Sequence, residues 1–106
     1  MSSICEVTEQ TFVSEVLESN RPVFLDFWAD WCEPCKQLAP IMDELSNQYP
    51  QVKFCTVDTN TNPRLAAQQG VMSLPTLQVI VDGEVVQSQQ GSRTKSGLIR
   101  MFDQYL

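Results

Sequence analysis

The chain has 106 residues, which at roughly 150 residues per domain corresponds to a single domain over residues 1–106. Hydrophobic residues make up 42% and charged residues 19%, so the composition excludes intrinsic disorder and collagen-like repeats. A net charge of −6 disfavours nucleic-acid backbones and anionic membrane surfaces as partners. We therefore expect partners that are proteins or small molecules and, by default, a monomer.

The N-terminal residues 1–6 lack the basic and apolar stretches of a signal peptide, and no apolar run reaches the ~20 residues of a membrane helix. We therefore expect a cytoplasmic protein, or one in an equivalent reducing space. Four cysteines are few for a disulfide-stapled secreted scaffold, and only Cys32 and Cys35 are close in sequence. This pair is the first place to look for chemistry.

The first third of the chain predicts a weak strand, a helix and a buried strand. Residues 4–7 are the candidate for the weak strand. Thr8 is the candidate N-cap of a helix that reaches about Ser19. The apolar run of residues 23–29 contains one acid and is typical of a central strand covered on both faces.

The middle of the chain predicts two helices separated by a strand. Apolar residues at helical spacing predict a helix over residues 33–49, kinked by Pro40. Residues 52–57 are rich in β-formers and predict a second strand. Asn62-Pro63 predicts the cap and the first residue of a short helix that ends at about residue 69.

The last third predicts a hairpin and a helix. Two β-rich runs, 76–81 and 84–87, flank Asp82-Gly83, which is the signal of a two-residue antiparallel turn. Thr94 is the predicted cap of the last helix. The order of elements therefore predicts an α/β protein with a mixed sheet.

The segment Cys32-Glu33-Pro34-Cys35 lies between the predicted central strand and the helix that follows it, within a βαβ unit. This context, more than the spacing alone, indicates a dithiol redox site. The N–H groups and the dipole at the helix N-terminus favour a thiolate on Cys32. The two-residue spacing brings Cys35 close enough to form a disulfide.

Two other interpretations of the cysteine pair are weaker. Zinc needs four ligands, but the chain has no His and no second pair of close cysteines, so we expect no metal. A purely structural disulfide would close a short loop and would stabilise the fold only weakly. Cys5 and Cys55 are isolated on predicted strands and are expected to be small buried hydrophobes.

Asp26 is the one acid within the predicted central strand. Covering the strand removes solvent from its carboxyl group and should raise its pKa. Such an acid near the dithiol could accept the proton of Cys35 at neutral pH. The alternative is an aspartate bonded to the backbone at the rim of the strand, and the residues alone leave both open.

The segment Asp26-Phe27-Trp28-Ala29-Asp30-Trp31-Cys32-Glu33-Pro34-Cys35-Lys36 resembles the active site of the thioredoxin family. The resemblance extends over nearly the whole chain, through Pro40, Asn62-Pro63, Leu74-Pro75-Thr76, Gly83 and Gly91. It implies a thioredoxin-like fold, in which four helices flank a central mixed sheet of five strands.

The resemblance also implies a role for each residue of the site. Cys32 would attack a substrate disulfide, Cys35 would resolve the mixed disulfide, and Asp26 would assist proton transfer. No cofactor is implied beyond the redox-active disulfide itself. Disulfide-containing proteins would be the targets, and a thioredoxin reductase or another dithiol donor would restore the dithiol.

The resemblance also implies a second group of residues, which would contact the substrate. Pro75, if its peptide bond is cis, would face the dithiol and hold Leu74 where its backbone can pair with an extended substrate. Trp31 and Gly91 would line the docking surface.

Three positions are expected to modulate the site. Thioredoxins usually carry glycine at the position of Glu33, which precedes Pro34. At about 6 Å, the Glu33 charge disfavours the Cys32 thiolate by roughly 0.7 kcal/mol at the dielectric constant of water and by about 2.8 kcal/mol at an effective value of 20. We expect the site to be exposed to solvent, which favours the lower value. Thr56 stands where many thioredoxins have a lysine that faces the buried acid, and the loss of that cation should push the pKa of Asp26 higher.

The sequence thus predicts a protein-disulfide reductase of the thioredoxin type that takes part in electron transport and redox homeostasis. The alternative is a binding or chaperone module of the same fold, in which the dithiol is secondary.

Overall fold

The computed structural model describes residues 3–106, which form a five-stranded sheet with helices on both faces. The strands are β1 (Cys5–Glu6), β2 (Val23–Trp28), β3 (Lys53–Asp58), β4 (Thr76–Val81) and β5 (Glu84–Gln90). The helices are a π-helical turn (Val13–Leu17), α1 (Glu33–Gln48), α2 (Pro63–Gln68) and α3 (Lys95–Phe102), followed by a 3₁₀ turn (Asp103–Tyr105). The predicted α/β fold is confirmed.

The strand order is β1-β3-β2-β4-β5, which places β2 at the centre of the sheet. The strands β1, β3 and β2 run parallel, whereas β4 is antiparallel to β2 and β5 is antiparallel to β4. The central strand β2 is paired on both edges and covered on both faces. Side chains on both of its faces are therefore buried, which explains its near-continuous apolar sequence. Its carboxyl end leads directly to the cysteine pair.

Two apolar layers hold the sheet between the helices. Leu25 and Phe27 of β2 face the layer that packs against the π-helical turn and α2. Phe24, on the other face, packs in the layer of α1 and α3, where its ring meets those of Phe54 and Phe102 at centroid distances of 5.6 and 5.8 Å. The two-residue period of a strand puts Asp26 on the same face as Phe24.

The first helix is shorter than predicted, and Thr8 does not cap it. The N–H of Thr8 instead donates to the hydroxyl of Thr11 at 2.9 Å, and the N–H of Thr11 returns to the carbonyl of Thr8 at 3.1 Å. Threonine side chains that bond the nearby backbone compete with a helix in this way. The π-helical turn spans only Val13–Leu17, where the N–H of Glu18 bonds the carbonyl of Val13 at 2.9 Å.

Asn62 stands at the N-cap position of α2 as predicted, but its side chain makes no capping bond. Its Oδ1 accepts from the N–H of Glu9 at 2.9 Å, and its Nδ2 donates to the carbonyl of Asp58 at 3.0 Å. The carboxylate of Glu9 caps the helix instead, accepting from the N–H groups of Arg64 at 2.8 Å and Leu65 at 3.3 Å. The cap therefore comes from a residue distant in sequence.

The predicted hairpin and last cap are confirmed. Asp82 and Gly83 both have positive φ, at 51° and 80°, as a two-residue hairpin turn requires. The hydroxyl of Thr94 accepts from the N–H of Gly97 at 3.1 Å and caps α3. Within residues 3–106, no helix is long and apolar enough to cross a membrane.

Candidate active site

Cys32 and Cys35 form a disulfide at the start of α1. Cys32 is the N-cap residue with an extended backbone, and its sulfur accepts from the N–H of Cys35 at 3.3 Å. Its carbonyl also accepts from the N–H of Lys36 at 3.2 Å. The sulfur of Cys32 thus occupies the position where a helix N-terminus stabilises negative charge.

The two cysteines are more covered than the sequence suggests. Cys32 and Cys35 are 5% and 4% exposed, although the site was expected to be open to solvent. The neighbouring Glu33 is the exposed residue. Its side chain is 75% exposed and pairs with the ammonium of Lys36 at 3.2 Å. Water screens this exposed carboxylate and Lys36 partly neutralises it, so its effect on Cys32 lies at the weak end of the Coulombic range.

Asp26 is 3% exposed and lies in the middle of β2, not at its rim. Within the described residues, its Oδ1 is buried with no hydrogen-bond partner. Burial raises its pKa to about 7, because a carboxylate loses solvation that nothing else replaces. The carboxyl group is therefore able to hold or release a proton near neutral pH.

A cavity of about 360 Å³ extends from Asp26 to Cys35. Asp26, Cys35 and Thr56 all line it, with Lys36 and Asp43 also on its wall. Thr56 is the register partner of Asp26 in the parallel pairing of β2 with β3. An uncharged threonine hydroxyl therefore neighbours the buried acid along the sheet.

The loop before β4 contains a cis peptide bond between Leu74 and Pro75. The carbonyl of Pro75 accepts from the N–H of Gly91 at 2.8 Å, which ties this loop to the end of β5. Gly91 has φ of +85°, a conformation that favours glycine. The hydroxyl of Thr76 donates to the carbonyl of Ser73 at 2.6 Å and braces the same loop.

Trp31 lies immediately before the disulfide and is 68% exposed. Its indole N–H donates to Oδ1 of Asn60 at 3.4 Å, and the amide of Asn60 donates to Asp30 at 3.1 Å. Asn60 thus links the two residues that precede Cys32 to the loop after β3. This link restrains the indole of the residue that immediately precedes Cys32.

No group of three or more His, Cys, Asp or Glu side chains able to hold a metal ion is found within residues 3–106. The sequence model of the thioredoxin family matches residues 3–104. The chain belongs to the thioredoxin family. Members of this family act through a dithiol and its disulfide without a cofactor, and the bonded pair Cys32–Cys35 supplies that group here.

Curated thioredoxins resemble the chain over all or most of its length. Thioredoxin 1 of Synechococcus elongatus is 46% identical over 107 aligned residues, covering 100% of both chains. Thioredoxin 1 of Nostoc sp. is 41% identical with the same coverage. The thioredoxin of Streptomyces clavuligerus is 44% identical over 89% of this chain and 88% of its own. The protein is accordingly a thiol–disulfide oxidoreductase.

Sequence patterns do not single out two residues that the structure makes conspicuous, Asn60 and Met72. Asn60 contacts Trp31 and Asp30 from another loop, and no local pattern signals a contact across 29 and 30 residues. Met72 is 88% exposed in the segment before the cis bond. The exposure of so large an apolar side chain is a feature that only the folded chain displays.

Proposed function

We propose that the protein reduces disulfide bonds in protein substrates, with Cys32 as the nucleophile and Cys35 as the resolving cysteine. The observation that carries this assignment is the position of the Cys32 sulfur at the N-terminus of α1, where it accepts from a backbone N–H. In the reduced protein, the same environment favours the thiolate of Cys32.

The reaction proceeds in two exchanges. The Cys32 thiolate attacks one sulfur of the substrate disulfide, forms a mixed disulfide, and releases the other sulfur, which takes up a proton. The thiolate of Cys35 then attacks the sulfur of Cys32 and releases the second substrate thiol. Two electrons pass to the substrate, and Cys32 and Cys35 are left as a disulfide.

Asp26 serves the second exchange as a proton acceptor. Cys35 must lose its proton before it attacks, and the carboxyl group of Asp26 lines the same cavity with a pKa of about 7. An acid that titrates near the working pH is suited to this transfer. Thr56 supports the role of Asp26 as proton acceptor. Its side chain carries no charge that would lower the pKa of Asp26, so burial determines that pKa.

Trp31, Leu74, Pro75 and Gly91 form the proposed docking surface. The bond from Gly91 to Pro75 and the contact of Trp31 with Asn60 hold its parts in fixed positions. Glu33 and Pro34 modulate this surface. The exposed charge of Glu33 and the net charge of −6 favour basic substrates over acidic ones.

We further infer a cytoplasmic monomer of one domain, residues 1–106, that carries electrons from a dithiol donor to its targets. A thioredoxin reductase is the proposed donor, and the acidic net charge argues against nucleic acid or an anionic membrane as a partner. Redox homeostasis would be its cellular role.

Trapping the mixed disulfide tests the assignment of the two cysteines. Cys35→Ser should accumulate a covalent complex with a disulfide-containing protein, because the second exchange is blocked. Cys32→Ser is the matched control and should form little or none. Equal trapping by both variants would overturn the proposed order of attack. If a variant with both substitutions still performed the protein's cellular role, the protein would instead be a binding or chaperone module.

A further inference from the structure

A second pair of cysteines lies at the edge of the sheet, outside the active site. Cys5 of β1 and Cys55 of β3 are direct register partners in a parallel pairing. Register partners on adjacent parallel strands point to the same face of the sheet, and both cysteines pack on the same apolar layer. Neighbouring strands lie about 4.8 Å apart, within the Cα separation of roughly 4.4–6.8 Å that a disulfide spans.

The two thiols differ in their access to solvent. Cys55 is fully buried, whereas Cys5 is half-buried on the two-residue edge strand. The sulfur of Cys5 donates to Oε2 of Glu15 at 3.4 Å, and that carboxylate also pairs with the ammonium of Lys53. Cys5 therefore has the solvent access that the first thiol of a pair requires, whereas Cys55 does not.

We propose that Cys5 and Cys55 are a second dithiol, which a low-molecular-weight disulfide such as oxidised glutathione closes into a disulfide bond between β1 and β3. The sulfur of Cys5 attacks oxidised glutathione, forms a mixed disulfide and releases one molecule of glutathione. The sulfur of Cys55 then attacks Cys5 and releases the second. Two cysteine thiols are oxidised, one glutathione disulfide is reduced, and both thiol protons end on glutathione.

This second pair should react more slowly than Cys32 and Cys35. Burial raises the pKa of Cys55 to about 12, and burial together with the hydrogen bond to Glu15 raises the pKa of Cys5. Because the thiolate is the nucleophile, both exchanges are slow at neutral pH and accelerate as the pH rises. A brief oxidative pulse would thus close the active site and leave the second pair reduced.

Closing the bond would fasten the edge strand to the sheet. The two residues are 50 positions apart in sequence, so a link between them restricts the unfolded chain strongly. Ile4 and Glu6, on either side of Cys5, line the cavity that holds Asp26. The new bond would therefore fix one wall of that cavity.

The test uses a background with Cys32→Ser and Cys35→Ser, so that only Cys5 and Cys55 remain. The protein is incubated with excess oxidised glutathione for hours at pH 8.5, then denatured and examined by thiol titration and mass spectrometry. We expect the loss of both thiols, a mass decrease of two hydrogen atoms, and one peptide pair that joins residues 5 and 55. The thermal midpoint should rise by about 5 to 15 °C.

Two matched controls separate the steps. With Cys55→Ala in the same background, Cys5 should retain bound glutathione, and with Cys5→Ala the buried Cys55 should remain a free thiol. If a variant fails to fold, peptide mapping of the oxidised wild-type chain shows whether residues 5 and 55 are joined. Persistence of both thiols, a stable glutathione adduct on Cys5 despite Cys55, or a bond between two chains would each overturn the proposal.

Discussion

The buried carboxyl group of Asp26 lowers the free energy of unfolding by an amount that depends on pH. Burial raises its pKa from the ordinary value of 3.8 to about 7, whereas in the unfolded chain the carboxyl group titrates near its ordinary value. Between these values the native state binds more protons than the unfolded chain, so the free energy of unfolding falls as the pH rises. Well below pH 3.8 the carboxyl group is protonated in both states, and the destabilisation disappears.

Replacing Asp26 with asparagine should remove this destabilisation. The interval between the two pKa values corresponds to a destabilisation on the order of 3 to 4 kcal/mol at pH 7. Asparagine has nearly the shape of the protonated acid and does not ionise. We expect Asp26→Asn to match the wild type within about 1 kcal/mol at pH 4 and to exceed it by about 3 kcal/mol at pH 7.

Urea unfolding of the oxidised protein from pH 4 to pH 8 measures this difference. Asp43→Asn is the matched control, because Asp43 is an exposed carboxylate on the wall of the same cavity. Its unfolding free energy should stay within about 0.5 kcal/mol of the wild type across the range. A gap between Asp26→Asn and the wild type that does not widen with pH would refute the reasoning.

Three further substitutions test other contacts. Glu9→Ala removes the carboxylate that caps α2 and should lower the unfolding free energy by about 1 kcal/mol, whereas exposed Gln10→Ala should change it little. Phe102→Ala empties a fully buried position that meets three aromatic rings and should cost about 3 to 5 kcal/mol in urea unfolding. Glu33→Gln should speed the reduction of an anionic disulfide about threefold at low salt, with Glu18→Gln unchanged. Loss of that gain at high salt would confirm an electrostatic origin, and its persistence would contradict it.

The sequence predicts the central parts of this fold because their signals are local. The apolar run of β2, the turn at Asp82-Gly83 and the cap at Thr94 each depend on neighbouring residues, and the structure shows all three. The same local context locates the cysteine pair at the start of α1. Burial of Asp26 follows from its place in a strand covered on both faces.

The features that sequence reasoning does not reach depend on distant contacts. Glu9 caps α2 across 55 residues, and no spacing rule signals such a bond. Threonine is a common helix N-cap residue, but Thr8 instead forms a turn by hydrogen bonding with Thr11. The low exposure of Cys32 and Cys35 is likewise a property of the folded chain that no local pattern signals.

The central claim is that Cys32 carries out disulfide reduction, and the most direct measurement is dithiothreitol-driven reduction of a generic protein disulfide. The wild type, Cys32→Ser and Glu33→Gly would be compared at equal concentration. We expect rapid turnover by the wild type, none above background by Cys32→Ser, and at least equal turnover by Glu33→Gly. Wild-type turnover no faster than dithiothreitol alone would contradict a general disulfide reductase.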